Sequence, residues 1–121
     1  MDLRIIARIL GGRAVLKREV RSLADLHQVV TAGLPVRALS RTAEYVGTTP
    51  REVAHLKDSL VPPATRKRRK TVLKPNESER VERLARLMAL AEEVWEDRDK
   101  AREFLRTSHP LLGDRSPLDL A

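Results

Sequence analysis

The sequence of 121 residues lacks cysteine and is poor in aromatic side chains. The absence of cysteine excludes disulfide scaffolds, thiol catalysis and cysteine-ligated metal sites, and it suits a reducing cytoplasm. Only Tyr45, Trp95 and Phe104 are aromatic, which disfavours a β-sandwich and a base-stacking platform. No run approaches the roughly 18 apolar residues that span a membrane. We therefore expect a cytoplasmic protein without membrane contacts.

Positive charge is abundant and unevenly distributed. Residues 1–75 contain 16 Lys and Arg against 6 Asp and Glu, whereas residues 76–121 contain 8 against 11. The whole chain has a formal net charge of +7. A basic first part and a mildly acidic second part predict two different partners, of which one is a polyanion. The alternative is an ordinary basic protein with a solvated charged surface.

Helix signals recur along the whole chain, and they predict an all-α fold. Apolar residues at helical spacing, with caps and breakers, predict helices near 5–10, 22–33, 34–47, 49–59, 63–71, 77–95, 98–106 and from 116 onward. The clearest start is at Thr49-Pro50, where Thr49 is the cap and Glu52 is expected to reach back to the cap amide. Asn76 with Glu79 predicts the cap of the longest helix. The segment 14–16 is too short to assign and is expected to be a strand-like connector.

A basic run follows the helix capped by Thr49. The helix over 50–59, a short turn and a basic helix over 63–70 have the length of a helix-turn-helix unit, whose second helix enters the major groove of DNA. The predicted DNA contacts are base edges for Thr65, Arg66 and Arg69, and phosphates for Lys67, Arg68 and Lys70. The turn lacks the glycine usual in such units, and a disordered basic linker is the alternative.

The long helix over 77–95 carries a wide apolar face. Val81, Leu84, Met88, Ala91 and Trp95 form one stripe, and Leu87, Leu90 and Val94 widen it. An ordinary core helix explains the stripe, and a homodimer interface is the alternative, which binding to a two-fold operator would require.

No set of residues in the sequence has the spacing of a catalytic or metal site. The three histidines, at 27, 55 and 109, have neither metal-ligand spacing nor an acidic partner at a recognisable offset. The acidic residues of 92–99 are explained by a solvated helix end. We therefore expect no catalytic residue, no metal site and no cofactor.

The order of several short motifs resembles a known family. These motifs are Gly33-Leu34-Pro35-Val36, Pro75-Asn76-Glu77-Ser78-Glu79-Arg80, Phe104-Leu105-Arg106-Thr107 and Leu112-Gly113-Asp114-Arg115-Ser116-Pro117-Leu118. Over nearly the whole chain the sequence resembles the Xre/MbcA/ParS-type antitoxins, which are partners of RES-domain toxins. Such toxins act on NAD, either degrading it or transferring ADP-ribose to a protein.

The resemblance implies two domains with different functions along the chain. It implies a Cro/repressor-like helix-turn-helix domain over 1–75, then a long dimer or core helix and a small toxin-binding domain over 76–121. The antitoxin would be a homodimer that binds operator DNA, represses its own operon and forms a higher-order complex in which it covers the active-site cleft of the toxin. The residues that the resemblance assigns to toxin contact are Phe104, Leu105, Pro110, Leu111, Leu112, Gly113, Arg115, Ser116 and Pro117.

Two expectations qualify this resemblance. The family usually continues for one or two helices after the Ser-Pro-Leu motif, so we expect that a C-terminal tail has been lost. Arg115 is the polar residue expected to reach into an NAD-binding cleft, because a guanidinium pairs well with phosphate or carboxylate. The alternative function is a stand-alone helix-turn-helix repressor that has no toxin partner.

Overall fold

The computed structural model describes residues 2–120, which fold into helices without any β-strand. The all-α prediction is therefore confirmed. The helices are α1 (Leu3–Ile9), α2 (Gly12–Leu16), α3 (Leu23–Ala32), α4 (Val36–Val46), α5 (Pro50–Leu60), α6 (Pro63–Arg68), α7 (Pro75–Trp95), α8 (Arg98–Arg106) and α9 (Pro117–Leu120), with a 3-10 turn at Pro110–Leu112.

Local capping signals account for most helix starts. The hydroxyl of Ser22 accepts from the Asp25 amide at 3.1 Å, and that of Thr49 accepts from the Glu52 amide at 3.1 Å. Each bond satisfies an amide that has no partner within its helix. One detail is corrected. The Glu52 carboxylate accepts from the Thr48 hydroxyl at 3.0 Å instead of the cap amide.

Two other assignments are wrong. Residues 14–16 belong to helix α2, not to a strand-like connector, and burial of Val15 and Leu16 stabilises this short helix. Helix α7 begins at Pro75, two residues earlier than predicted, so Asn76 lies inside the helix and does not cap it. Proline at the first helical position is already set at a helical φ, and this preference outweighs the Asn76 cap.

Helix α7 is the centre of the fold. It has 21 residues, which corresponds to about 31 Å, and it packs against α1, α3, α4, α5 and α8. Its buried Val81, Leu84 and Met88 join one hydrophobic cluster that extends from Ile6 to Leu105. This cluster crosses residue 75, and the division into two functional units at that point stays a prediction. Within residues 2–120, no helix is both long and apolar enough to cross a membrane.

The chain between α6 and α7 is paired with the chain between α3 and α4. The amide of Val36 donates to the Thr71 carbonyl at 2.9 Å, and that of Leu73 donates to the Leu34 carbonyl at 2.8 Å. Gly33 makes this close approach possible, because its φ is +99° and a Cβ there would lie 2.5 Å from the carbonyl oxygen of Leu73. The exit from α6 is therefore fixed by backbone pairing.

A buried ion pair fixes the same connection on its other side. The guanidinium of Arg69 donates to both carboxylate oxygens of Glu77, at 2.8 and 2.9 Å, and the amide of Lys74 donates to the same carboxylate at 2.8 Å. Only 15% of the Arg69 side chain and 5% of the Glu77 side chain are exposed. This pair joins the end of α6 to the first turn of α7.

We predict that Arg69→Ala destabilises the protein by about 3 kcal/mol, because it leaves a buried carboxylate without its charged partner. Urea unfolding at pH 7 measures the change. Lys70→Ala is the matched control, since the neighbouring Lys70 is exposed and an exposed substitution changes stability by about 0.5 kcal/mol or less. Equal stability of the two variants would contradict the structural role of the pair.

The same pair predicts a pH dependence. The Arg69 guanidinium holds the pKa of the Glu77 carboxyl below its ordinary value. A lowered pKa in the folded state adds stability above the unfolded pKa of about 4.3, and this stability is lost as pH falls below that value. The stability difference between wild type and Arg69→Ala should therefore be full at pH 7 and smaller at pH 3. A difference that grows towards pH 3 would contradict this sign.

Candidate functional site

Helices α5 and α6 form a helix-turn-helix unit. Val61 and Pro62 make the turn, and the side chain of Val61 is completely buried. Pro63 opens α6 at its first position. From α7, Arg80 donates to the Leu60 carbonyl at the end of α5 at 3.0 Å. A buried valine and an arginine from α7 therefore hold a turn that has no glycine.

The basic helix is shorter than predicted. Helix α6 ends at Arg68, and Arg69 is its C-cap with extended backbone angles (φ −92°, ψ 110°). The predicted helix over 63–70 is thus wrong at its C-terminal end, because the pairing of Leu73 and the Arg69–Glu77 ion pair turn the chain towards α7. Only the first three residues of the basic run are helical.

The six predicted DNA-contact residues fall into two groups. The guanidinium of Arg69 is occupied by Glu77, and Arg66 forms an ion pair with Asp58 of α5 at 2.9 Å. Thr65 is half-buried, and its hydroxyl lies 3.4 Å from a guanidinium nitrogen of Arg68. Lys67, Arg68 and Lys70 are exposed, and no carboxylate of residues 2–120 forms an ion pair with them. The exposed positive charge therefore comes from the residues assigned to phosphates, and Arg69 is a structural residue.

The C-terminal segment folds onto the end of α7. The ring of Phe104 lies 5.8 Å from that of Trp95 and 5.0 Å from that of His109, centroid to centroid. The amide of His109 donates to the Arg115 carbonyl at 3.1 Å and closes a tight loop around the 3-10 turn. The Asp119 carboxylate accepts from the Ser116 amide at 3.0 Å, and the Ser116 hydroxyl accepts from the Asp119 amide at 3.1 Å.

The predicted toxin-contact residues differ in exposure. Leu111 is 99% exposed at the tip of the loop, and Pro110, Gly113 and Arg115 are exposed beside it. Phe104, Leu112 and Pro117 are half-buried. Leu105 and Ser116 are buried in the core and in the cap of α9. These last two residues therefore pack within the protein, and toxin contact by the nine residues stays a prediction.

The apolar face of the long helix, which was expected to be core or a homodimer interface, is only partly buried. The structure leaves an apolar patch of Leu90, Val94 and Trp95, which are exposed by 41%, 76% and 45%, respectively. Ala91 and Met88 of the same helix face the core, because α8 covers that side through Ala101 and Leu105. The width of the apolar face was the available signal, since one packed side cannot bury residues all around a helix.

Polar contacts connect α8 to α4 and to the start of α5. Arg106 donates to the Thr48 hydroxyl at 2.7 Å and to Glu52 at 3.4 Å, and Arg102 donates to the Tyr45 carbonyl at 2.9 Å. Burial and a hydrogen bond to Glu92 raise the pKa of Tyr45 to about 12, so this hydroxyl stays protonated at neutral pH.

A cavity of about 560 Å³ lies between α5, α7, α8 and α9.

The histidines are not gathered into a metal site. Within residues 2–120, no group of three or more histidine and acidic side chains is placed to hold a metal ion. His27 lies 3.4 Å from the Thr31 hydroxyl on α3, and His109 packs on Phe104.

Comparison with protein families identifies two domains, and each contains one of the two surfaces described above. The family described as the antitoxin Xre-like helix-turn-helix domain matches residues 25–86, and the antitoxin Xre/MbcA/ParS C-terminal toxin-binding domain matches residues 90–121. The first match contains α5 and α6, and the second contains the exposed loop and the apolar patch. No individual curated protein matches the chain significantly. The chain therefore belongs to the Xre/MbcA/ParS-type antitoxins and combines their helix-turn-helix domain with their toxin-binding domain.

Proposed function

We propose that this antitoxin neutralises a RES-domain, NAD-consuming toxin by inserting the loop 109–115 into the active-site cleft of the toxin. The observation that carries this proposal is the complete exposure of Leu111 at the loop tip. The identity of the toxin as a RES-domain enzyme rests on the resemblance of the sequence motifs. The same antitoxin binds operator DNA through α6 and represses its own operon.

A rigid, apolar loop tip suits insertion into a cleft. The His109–Arg115 hydrogen bond and the left-handed Gly113 and Asp114 fix the shape of the loop in the free protein. Preformed loops lose little conformational entropy on binding. Burying an exposed leucine side chain in a partner contributes about 1.5–3 kcal/mol. Leu111 therefore anchors the complex, and Arg115 beside it supplies a guanidinium for the phosphate or carboxylate groups of an NAD site.

The apolar patch of Leu90, Val94 and Trp95 extends this surface. It lies within the matched toxin-binding region, and the Trp95–Phe104 contact connects it to α8. Interfaces concentrate binding energy in buried aromatic and apolar residues surrounded by polar ones. We assign this patch to the body of the toxin and the loop tip to its cleft.

The DNA side of the proposal depends on the exposed basic residues. Lys67, Arg68 and Lys70 extend from a unit whose orientation is fixed by Arg69, Glu77 and Arg80. Operators with two-fold symmetry are bound by dimers, so we propose a homodimer that forms a higher-order complex with the toxin. The core face of α7 is already used within the chain, so that face is not the dimer interface.

We predict that Leu111→Ala weakens toxin binding about 30-fold, equivalent to about 2 kcal/mol, because it removes the anchor. The assay titrates each antitoxin variant into a RES-domain toxin. It measures the affinity of the complex and the NAD consumption that remains. Leu23→Ala is the matched control, because Leu23 is an exposed leucine of α3 outside the toxin-binding match. Full inhibition by the Leu111→Ala variant at wild-type concentrations would contradict the loop-insertion proposal.

We predict that combined Lys67→Gln, Arg68→Gln and Lys70→Gln makes the salt dependence of operator binding shallower. The negative slope of log affinity against log salt should decrease in magnitude by about 2.7, since each lost phosphate contact contributes roughly 0.9. Thermal unfolding should change little, because the three side chains are exposed. An unchanged slope would exclude the basic run around α6 as the DNA contact. DNA binding by wild type without any inhibition of the toxin would instead favour a stand-alone repressor.

A further inference from the structure

The N-terminal segment carries a basic surface that the helix-turn-helix unit does not explain. Arg4, Arg8, Arg13, Arg18 and Arg21 line one cavity of about 410 Å³ between α1, α2 and the segment that leads to α3. Glu19 is the single carboxylate in that lining. These residues precede the region that matches the helix-turn-helix family, which begins at residue 25.

A second cavity continues the same surface. Arg8 and Gly12 line both cavities, and Arg41 of α4 and Arg98 of α8 line the second one, which has a volume of about 340 Å³. The guanidinium of Arg98 lies 3.7 Å from the centroid of the Tyr45 ring, and this contact holds it in place. Seven arginines from α1, α2, α4, α8 and the segment that leads to α3 thus form one surface, which we call the arginine surface.

Carboxylates only partly neutralise the arginine surface. Asp2, Glu19 and Asp25 form ion pairs with Arg4, Arg13, Arg18 and Arg21. The side chains of Arg4 and Arg13 are nevertheless 87% and 78% exposed, and exposed pairs of this kind contribute little and exchange readily. No carboxylate of residues 2–120 forms an ion pair with Arg8 or Arg41. Arg8 and Arg41 are therefore available to an incoming polyanion, whereas Glu44 lines the second cavity and Asp2, Glu92, Glu93, Glu96 and Asp97 lie in a depression with Arg98.

The composition of the surface favours phosphates over a protein partner. The exposed large apolar side chains, which protein interfaces need as anchors, are Leu23, Val72, Leu90, Val94, Trp95, Leu111 and Leu120. None of them lines either cavity. Guanidinium groups match phosphate oxygens with paired hydrogen bonds. We infer that the arginine surface binds the phosphate backbone of duplex DNA outside the base pairs that α6 reads.

The arginine surface and α6 adjoin opposite ends of α7. Arg4 and Arg21 share a depression with Glu93 of α7, whereas α6 is joined to Glu77 of the same helix. Sixteen residues of helix separate these two positions, or about 24 Å. This length is about 7 base pairs at 3.4 Å each. A duplex bound by α6 must therefore extend by about this length to reach the arginine surface.

This inference rests on the proposed DNA binding, and the test separates the two. The variant combines Arg4→Gln, Arg8→Gln and Arg13→Gln in the full chain, and operator binding is measured from 50 to 200 mM salt. We expect the log–log salt slope to fall by about 2 to 3, with at least a tenfold loss of affinity at 100 mM salt. Because base contacts are untouched, the preference for operator over unrelated duplex should persist.

The matched control combines Arg83→Gln, Arg86→Gln and Lys100→Gln, which removes the same charge from exposed positions of α7 and α8. Equal losses in the two triple variants would show a net-charge effect and overturn the inference. It would also be overturned if the N-terminal variant kept its DNA slope, or lost only its toxin binding. Loss of operator binding in the α6 variant, with an unchanged slope in the N-terminal variant, would leave the proposed function standing and reject this inference alone.

Discussion

The ion pair between the buried Glu77 carboxylate and Arg69 is the interaction on which the rest of the structure depends. The carboxylate receives both nitrogens of the Arg69 fork and the amide of Lys74, so it ends α6, starts α7 and fixes the angle between them. A charged side chain this deeply buried is costly unless every oxygen is paired. Here the pairing is complete, and the short basic helix is held in one orientation although it buries no apolar residue of its own.

The basic run illustrates how one stretch of charge serves two purposes. Arg66 and Arg69 face inward to Asp58 and Glu77, whereas Lys67, Arg68 and Lys70 face solvent. The inward arginines use bidentate or close charge-assisted bonds to build the unit. The outward residues keep the positive potential that a polyanion requires. The charged residues of this run are therefore divided between internal ion pairs and exposed positions.

The two ends of α7 divide the surface of the molecule. The helix-turn-helix unit is attached at the N-terminal end by Glu77 and Arg80, and the C-terminal end exposes Leu90, Val94 and Trp95. Arg102 and Arg106 connect the toxin-binding segment back to α4 and α5. Arg106 contacts Thr48 and Glu52, which flank the cap residue Thr49 of α5. The two surfaces share one core and are joined by direct hydrogen bonds.

The sequence by itself determined the helical class, the family and most helix boundaries, because caps and breakers such as Ser22, Thr49-Pro50 and Gly33 act within one turn of the chain. It also located the basic run and the C-terminal loop. Tertiary structure decided the exposure of each residue, since burial depends on contacts between distant segments. Arg69 is occupied by Glu77, Leu105 lies in the core and Leu111 lies fully in solvent. The short helix α2 and the gathering of N-terminal arginines around two joined cavities likewise follow from packing of α1 and α2 against each other and against α4, which no local pattern encodes.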